Sequence, residues 1–189
     1  MIDINNFPIL KKHMSTLKET SKDDHNGIVT YMTNSEADAI NFDEVKSEYV
    51  SLLALSESPK SNDALFINSS DLATFIEFKN GYFDKPKEFA VRKKVYDSIL
   101  ILNDIINENI SFSRKHLDYI LVYNESKNPD SKTSYSSSES RDYIDKTLLG
   151  FGNERLIKFG LERFQGYCFK NVYTYTEKEF EENFVTSIA

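Results

Sequence analysis

The stretch from Asn62 to Gly81 constrains the fold more than any other part of the chain. Two runs rich in apolar and aromatic residues, Ala64–Asn68 (ALFIN) and Ala73–Lys79 (ATFIEFK), flank the short polar link SSDL. This pattern predicts a β-hairpin, closed after its second strand by Asn80-Gly81. Alternation places Phe75, Glu77 and Lys79 on one face and Ile76 and Phe78 on the other. A charged pair therefore stands where an apolar face should continue. The bland reading is the solvent face of a half-exposed strand, with a weak surface ion pair. Asp63 sits where the first strand begins, and in an antiparallel hairpin that point lies near the end of the second. Asp63 is thus expected to approach Glu77 and Lys79. Its own bland reading is a turn residue in Ser-Asn-Asp.

Helical periodicity flanks the hairpin. Before it, Phe42, Val45, Tyr49, Leu52 and Leu53 recur on one helix face, with Asn41 or Asp43 as the cap. Glu48 falls at the edge of that face, and Glu44 one turn earlier. After it, Val91, Val95, Ile99, Leu102 and Ile106 predict a helix from Glu88 to about Asn107. Leu117–Asn124 (LDYILVYN) reads as a buried strand. Tyr167–Thr174 reads as another, and Thr176 with Glu179 forms a capping box that opens a final short helix. The serine-rich run 125–140 reads as a mobile polar loop. A helix is expected from about Arg141 to Phe159, interrupted near Gly150 and Gly152. At the N-terminus, Ile9–Thr20 reads as a short helix, Ser21–Gly27 as a polar turn and Gly27–Thr33 as a strand. The expected architecture is a single α/β domain with a mixed central sheet of about four to five strands, flanked by helices. Residues 1–40 form an extension packed on a core at 41–124, and 141–189 complete the same domain.

Composition narrows the function classes. The net charge is -7 and the pI about 5.1, which weighs against non-specific grip on a long duplex. One cysteine, Cys168, excludes an internal disulfide and a four-thiolate zinc site, and it reads as a small buried hydrophobe. His13, His25 and His116 are scattered without ligand-like spacing, and His116 has no obvious partner. Tyr173, Tyr175 and Phe169 read as packing residues. No run approaches the length of a membrane span, and the N-terminal residues do not resemble a signal peptide. The expected location is cytoplasmic, with no membrane partner.

Asp63, Glu77 and Lys79 in this arrangement suit metal-assisted hydrolysis. Two carboxylates hold a hard cation such as Mg²⁺, which keeps waters and seeks phosphate oxygens. Such a cation lowers the pKa of a bound water and offsets charge developing on phosphate. The lysine positions that water or neutralises the phosphate. Glu48 is expected to complete the metal cage with Asp63 and Glu77, with Glu44 in reserve. Lys94, in the basic run Arg92–Lys94, is a candidate phosphate contact, and a solvated helix face is its bland alternative.

The order helix–strand–strand–helix–strand, with Asp63, Glu77 and Lys79 so placed, resembles the core of the PD-(D/E)xK nuclease superfamily over about residues 42–124. The resemblance implies a restriction-endonuclease-like fold and a Mg²⁺- or Mn²⁺-dependent phosphodiesterase. The acidic pair maps to Asp63 and Glu77, the lysine to Lys79 and the helical glutamate to Glu48. Asn62 stands where the motif has proline. Many small nucleases of this type act as homodimers. The spelling alone is weak, because composition gives roughly one or two Glu-x-Lys triplets by chance. Of Glu44-Val-Lys46, Glu77-Phe-Lys79 and Glu125-Ser-Lys127, only the middle one lies in a strand whose hairpin partner carries an aspartate. Two functions follow as expectations: a metal-dependent nuclease acting on DNA or RNA, or a non-catalytic protein on the same fold. The second would be an immunity protein or antitoxin binding a basic partner, which the acidic balance favours.

Overall fold

Runs that carry apolar side chains to both faces pair into one mixed sheet. The computed structural model describes residues 2–25, 27–68, 72–129 and 156–188. In chain order the strands are β1 (Met14–Thr16), β2 (Lys22–His25), β3 (Ile28–Tyr31), β4 (Asp38–Asn41), β5 (Ala64–Ile67), β6 (Ala73–Lys79), β7 (Leu117–Tyr123) and β8 (Asn171–Thr176). Among the described residues the α-helices are α1 (Pro8–Lys12), α2 (Leu17–Thr20), α3 (Phe42–Leu53), α4 (Lys85–Ile106), α5 (Ile110–His116), α6 (Glu177–Phe180) and α7 (Thr186–Ile188). A π-helical turn, Glu181–Val185, extends α6.

Six strands form one sheet in the order β1-β4-β5-β6-β7-β8. The β5–β6 hairpin is antiparallel, with Ala64 opposite Ile76 and Leu65 opposite Phe75. Crossing through α4 and α5 makes β7 parallel to β6, and β8 adds parallel to β7. Alternation then sorts the two faces. Leu65, Phe75, Tyr119 and Leu121 pack with Phe42, Val45, Val91, Val95 and Leu102 from α3 and α4. Ala64, Ile76, Phe78, Ile120 and Val122 pack on the other side with Leu17, Met32 and Phe180. The mixed α/β sheet is thus as expected but larger than four to five strands. Among the described residues, no helix is long and apolar enough to cross a membrane.

The N-terminal segment departs most from expectation. Ile9–Thr20 divides into α1, β1 and α2, because β1 pairs with β4 at the sheet edge. The segment read as a polar turn contains β2, paired antiparallel to β3. Gly27 takes a positive φ of 79° and donates its N–H to Asp24 Oδ1. Asn26-Gly27 is the sequence signal for such a two-residue hairpin. In α3, Phe42 and Val45 are buried and Tyr49 is partly so, but Leu52 and Leu53 are exposed. The helix stops there at Ala54, whose φ of 50° is left-handed.

At the other end, β8 begins later than expected. Leu161–Lys170 first turns tightly, burying Phe164, Cys168 and Phe169, with Gly166 at a φ of 68°. His116 does find a partner, stacking on Phe112 at 4.7 Å. Tyr173 and Tyr175 stack on each other at 5.5 Å, and Phe169 packs on Phe75 and Tyr119. The capping box is present: Thr176 Oγ1 accepts from the Glu179 N–H, and the Glu179 carboxylate accepts from the Thr176 N–H. Most of the helix expected at 141–159 and of the loop expected at 125–140 lies outside the described residues. The described residues 156–159 are not helical.

Candidate functional site

Glu77 points from β6 toward α4, on the same face as Phe75, and is fully buried. A half-exposed strand face is therefore not its setting. Lys94 reaches it from α4, where it lies one turn after the buried Val91 and directly before the buried Val95. Lys94 Nζ lies 2.7 Å from Glu77 Oε1 and donates to Glu77 Oε2 at 2.9 Å and to Asp63 Oδ1 at 3.0 Å. Lys79 Nζ approaches Glu77 Oε1 at 2.5 Å. Oε1 therefore sits between two ammoniums, in ion-pair contact with both.

Asp63 is held from both sides of its carboxylate. Its Oδ2 accepts the Phe78 N–H at 2.7 Å, which fixes the residue beside the end of β6. The preceding Asn62 is fully buried, and its N–H donates to Ser98 Oγ on α4 at 2.8 Å. The Asn62 side-chain amide and the Tyr119 hydroxyl, both buried, find no hydrogen-bond partner among the described residues.

Electrostatics follow from this burial. Desolvation, then the neighbouring Asp63 carboxylate, push the Glu77 carboxyl above its ordinary range, while Lys94 and Lys79 oppose the shift. Burial alone would lower Lys94, but Glu77 and Asp63 outweigh it and hold the ammonium firmly protonated. Burial, with Glu77 and Asp63 nearby, raises the Tyr119 phenol well above its usual value. With all four groups ionised, the charges of Asp63, Glu77, Lys79 and Lys94 cancel.

The cluster borders a cleft of about 480 Å³, lined in part by Lys22, Asp63, Lys79, Asn80, Lys87 and Ala90. The β2–β3 hairpin forms one wall. Asn80 Nδ2 donates to Asp23 Oδ2 at 2.9 Å and to Thr30 Oγ1 at 3.2 Å, which ties that hairpin to the end of β6.

Asp63, Glu77 and Lys79 are therefore brought together, and Lys94 joins them in contact with both carboxylates. Glu48 does not join. Its Oε2 takes the Lys12 ammonium at 2.8 Å and His13 Nε2 at 2.7 Å, while Glu44 faces His13 Nδ1 at 3.1 Å. The physical reason is the β1–β4 pairing. The Asn41 N–H donates to the His13 carbonyl, which sets His13 against the first turns of α3. Among the described residues, no group of three or more His, Cys, Asp and Glu side chains is placed to hold a metal ion, so Glu48, Asp63 and Glu77 do not form the expected cage. From the sequence alone Lys94 is only a candidate phosphate contact. Its place at the centre of the cluster was signalled by a lysine within the Val91–Val95 apolar stripe. No family model, curated protein or solved structure compared with the chain matches it.

Proposed function

We propose that this protein is a metal-dependent phosphodiesterase of the PD-(D/E)xK type acting on nucleic acid. The observation that carries the reading is the convergence of Asp63 and Glu77 on one cationic position beside a lysine-bearing cleft. The donor set fits a hard divalent cation, Mg²⁺ or Mn²⁺. Two carboxylates face a position already taken by a positive charge. Such cations need only one or two protein carboxylates, because waters and substrate phosphate oxygens fill the remaining positions. When bound, the cation supplies a more acidic water and offsets charge on the phosphate. Asp63 and Glu77 would hold it, and Lys79, about a quarter exposed, can reach a phosphate oxygen or the attacking water. Lys22 and Lys87 also line the cleft and add positive charge for the polyanionic backbone. The order α3, β5, β6, α4, β7 supports a restriction-endonuclease-like core.

The test is incubation of the purified chain with single- and double-stranded DNA and RNA in Mg²⁺ or Mn²⁺. Cleavage is expected, and Glu77→Gln should lower it by about 10²-fold or more, the scale for losing one charge-stabilising group at a reacting centre. A chain that neither cleaves nor binds either metal overturns the reading.

A second reading, a non-catalytic protein that binds a basic partner, is favoured by one observation: Asp63 and Glu77 already have their charge balanced by Lys79 and Lys94. Capture of a single basic protein, unaffected by Glu77→Ala and unaccompanied by cleavage, would support it.

A further inference from the structure

We propose that the Lys94 ammonium is the resident cation of the Asp63–Glu77 pair, and that a divalent metal reaches the pair only by displacing it. This rests on the reading of Asp63 and Glu77 as metal ligands. It goes further in assigning Lys94 the role of an internal competitor that sets the metal affinity.

The argument is geometric. Lys94 Nζ lies within 3.0 Å of Asp63 Oδ1 and of both Glu77 oxygens. A metal held by the same two carboxylates needs the lone pairs that the ammonium now uses. Two cations cannot share that volume, because their repulsion is strongest where solvent is excluded. Lys79 differs from Lys94. It touches Glu77 Oε1 but makes no ion pair with Asp63, so it flanks the position and Lys94 fills it.

Displacement has a route. The stem of Lys94 has four methylenes, and its side chain retains 18% exposure. Ala90 and Lys87, one and two turns earlier on the same face of α4, line the cleft. A released Lys94 head therefore swings along α4 toward the space a phosphodiester would occupy. The head that blocks the pair in the free protein is then available to the substrate anion.

Competition lowers the apparent affinity by the fraction of molecules whose pair is open. If the ammonium leaves for 1–10% of the time, removing it should tighten metal binding by about 10–100-fold. The experiment is calorimetric titration with Mn²⁺ alone, at mildly alkaline pH, of the wild type, Lys94→Met and Lys94→Met/Glu77→Gln. The expected result is tighter binding by about that factor in Lys94→Met, with the gain abolished in the double variant. Equal or weaker binding by a folded Lys94→Met, beside a wild type that binds, overturns the competitor role and leaves the metal-site reading intact. No binding by either chain overturns both. Acylation footprinting of the wild type needs no variant: saturating Mn²⁺ should raise Lys94 modification several-fold above its metal-free level. Unchanged Lys94 reactivity in a chain that has bound Mn²⁺ overturns the proposal.

Discussion

Lys94 Nζ lies 2.7 Å from Glu77 Oε1 and 2.9 Å from Oε2, so an ammonium from α4 straddles a carboxylate that the sheet buries completely. Breaking a buried ion pair from one side leaves the other charge uncompensated, and this typically costs about 3–5 kcal/mol. Lys79 remains beside Glu77, so Lys94→Met should fall at the lower end of that range. Urea unfolding in chelator measures it. A cost below about 1 kcal/mol would show that Glu77 is not ionised against Lys94.

Asn62 anchors the entry of β5 through its backbone. Its N–H donates to the buried Ser98 hydroxyl, tying the entry of β5 to α4. Proline has no N–H. Asn62→Pro should therefore destabilise the chain by about 1–3 kcal/mol, the cost of orphaning a buried polar group. Thermal unfolding of Asn62→Pro beside Asn62→Ala, which keeps the N–H, separates the backbone bond from the side chain.

Glu48 carries a pH dependence. Hydrogen bonds from Lys12, then from His13, hold its carboxyl below the ordinary 4.5. A depressed carboxyl contributes stability that is present above its unfolded value and lost as pH falls through the folded one. The α1–α3 contact should thus weaken on acidification below about 4.5. The stability gap between wild type and Glu48→Gln should narrow over that range in melts recorded across acidic pH. A constant gap would exclude Glu48 as its source.

Cys168 is buried at 2% exposure, and burial pushes its thiol from 9.0 up to about 11, against a small opposing effect of Arg114. The folded chain should therefore resist iodoacetamide at neutral pH, and alkylation should become complete in denaturant. Rapid modification of the native chain would contradict this burial.

How much of this was legible in the residues differs from place to place. The hairpin was legible because two short apolar and aromatic runs, 64–68 and 73–79, are separated by a polar link of only four residues. Helix α4 was legible because Val91, Val95, Ile99, Leu102 and Ile106 repeat at 3.6. Strands β1 and β4 were not. They are short, they carry few apolar residues, and each is stabilised by its neighbour rather than by its own pattern.

The candidate site divides in the same way. Chain alternation by itself determined that Glu77 and Lys79 share a face and that Asp63 meets the end of β6. Only the tertiary structure decided which cation faces the two carboxylates and which glutamate stays away. Lys94 reaches Glu77 because α4 crosses that face of the sheet, and Glu48 is taken by Lys12 and His13 because β1 pairs with β4. Both outcomes depend on contacts between segments far apart in sequence, and no local periodicity encodes which of them form.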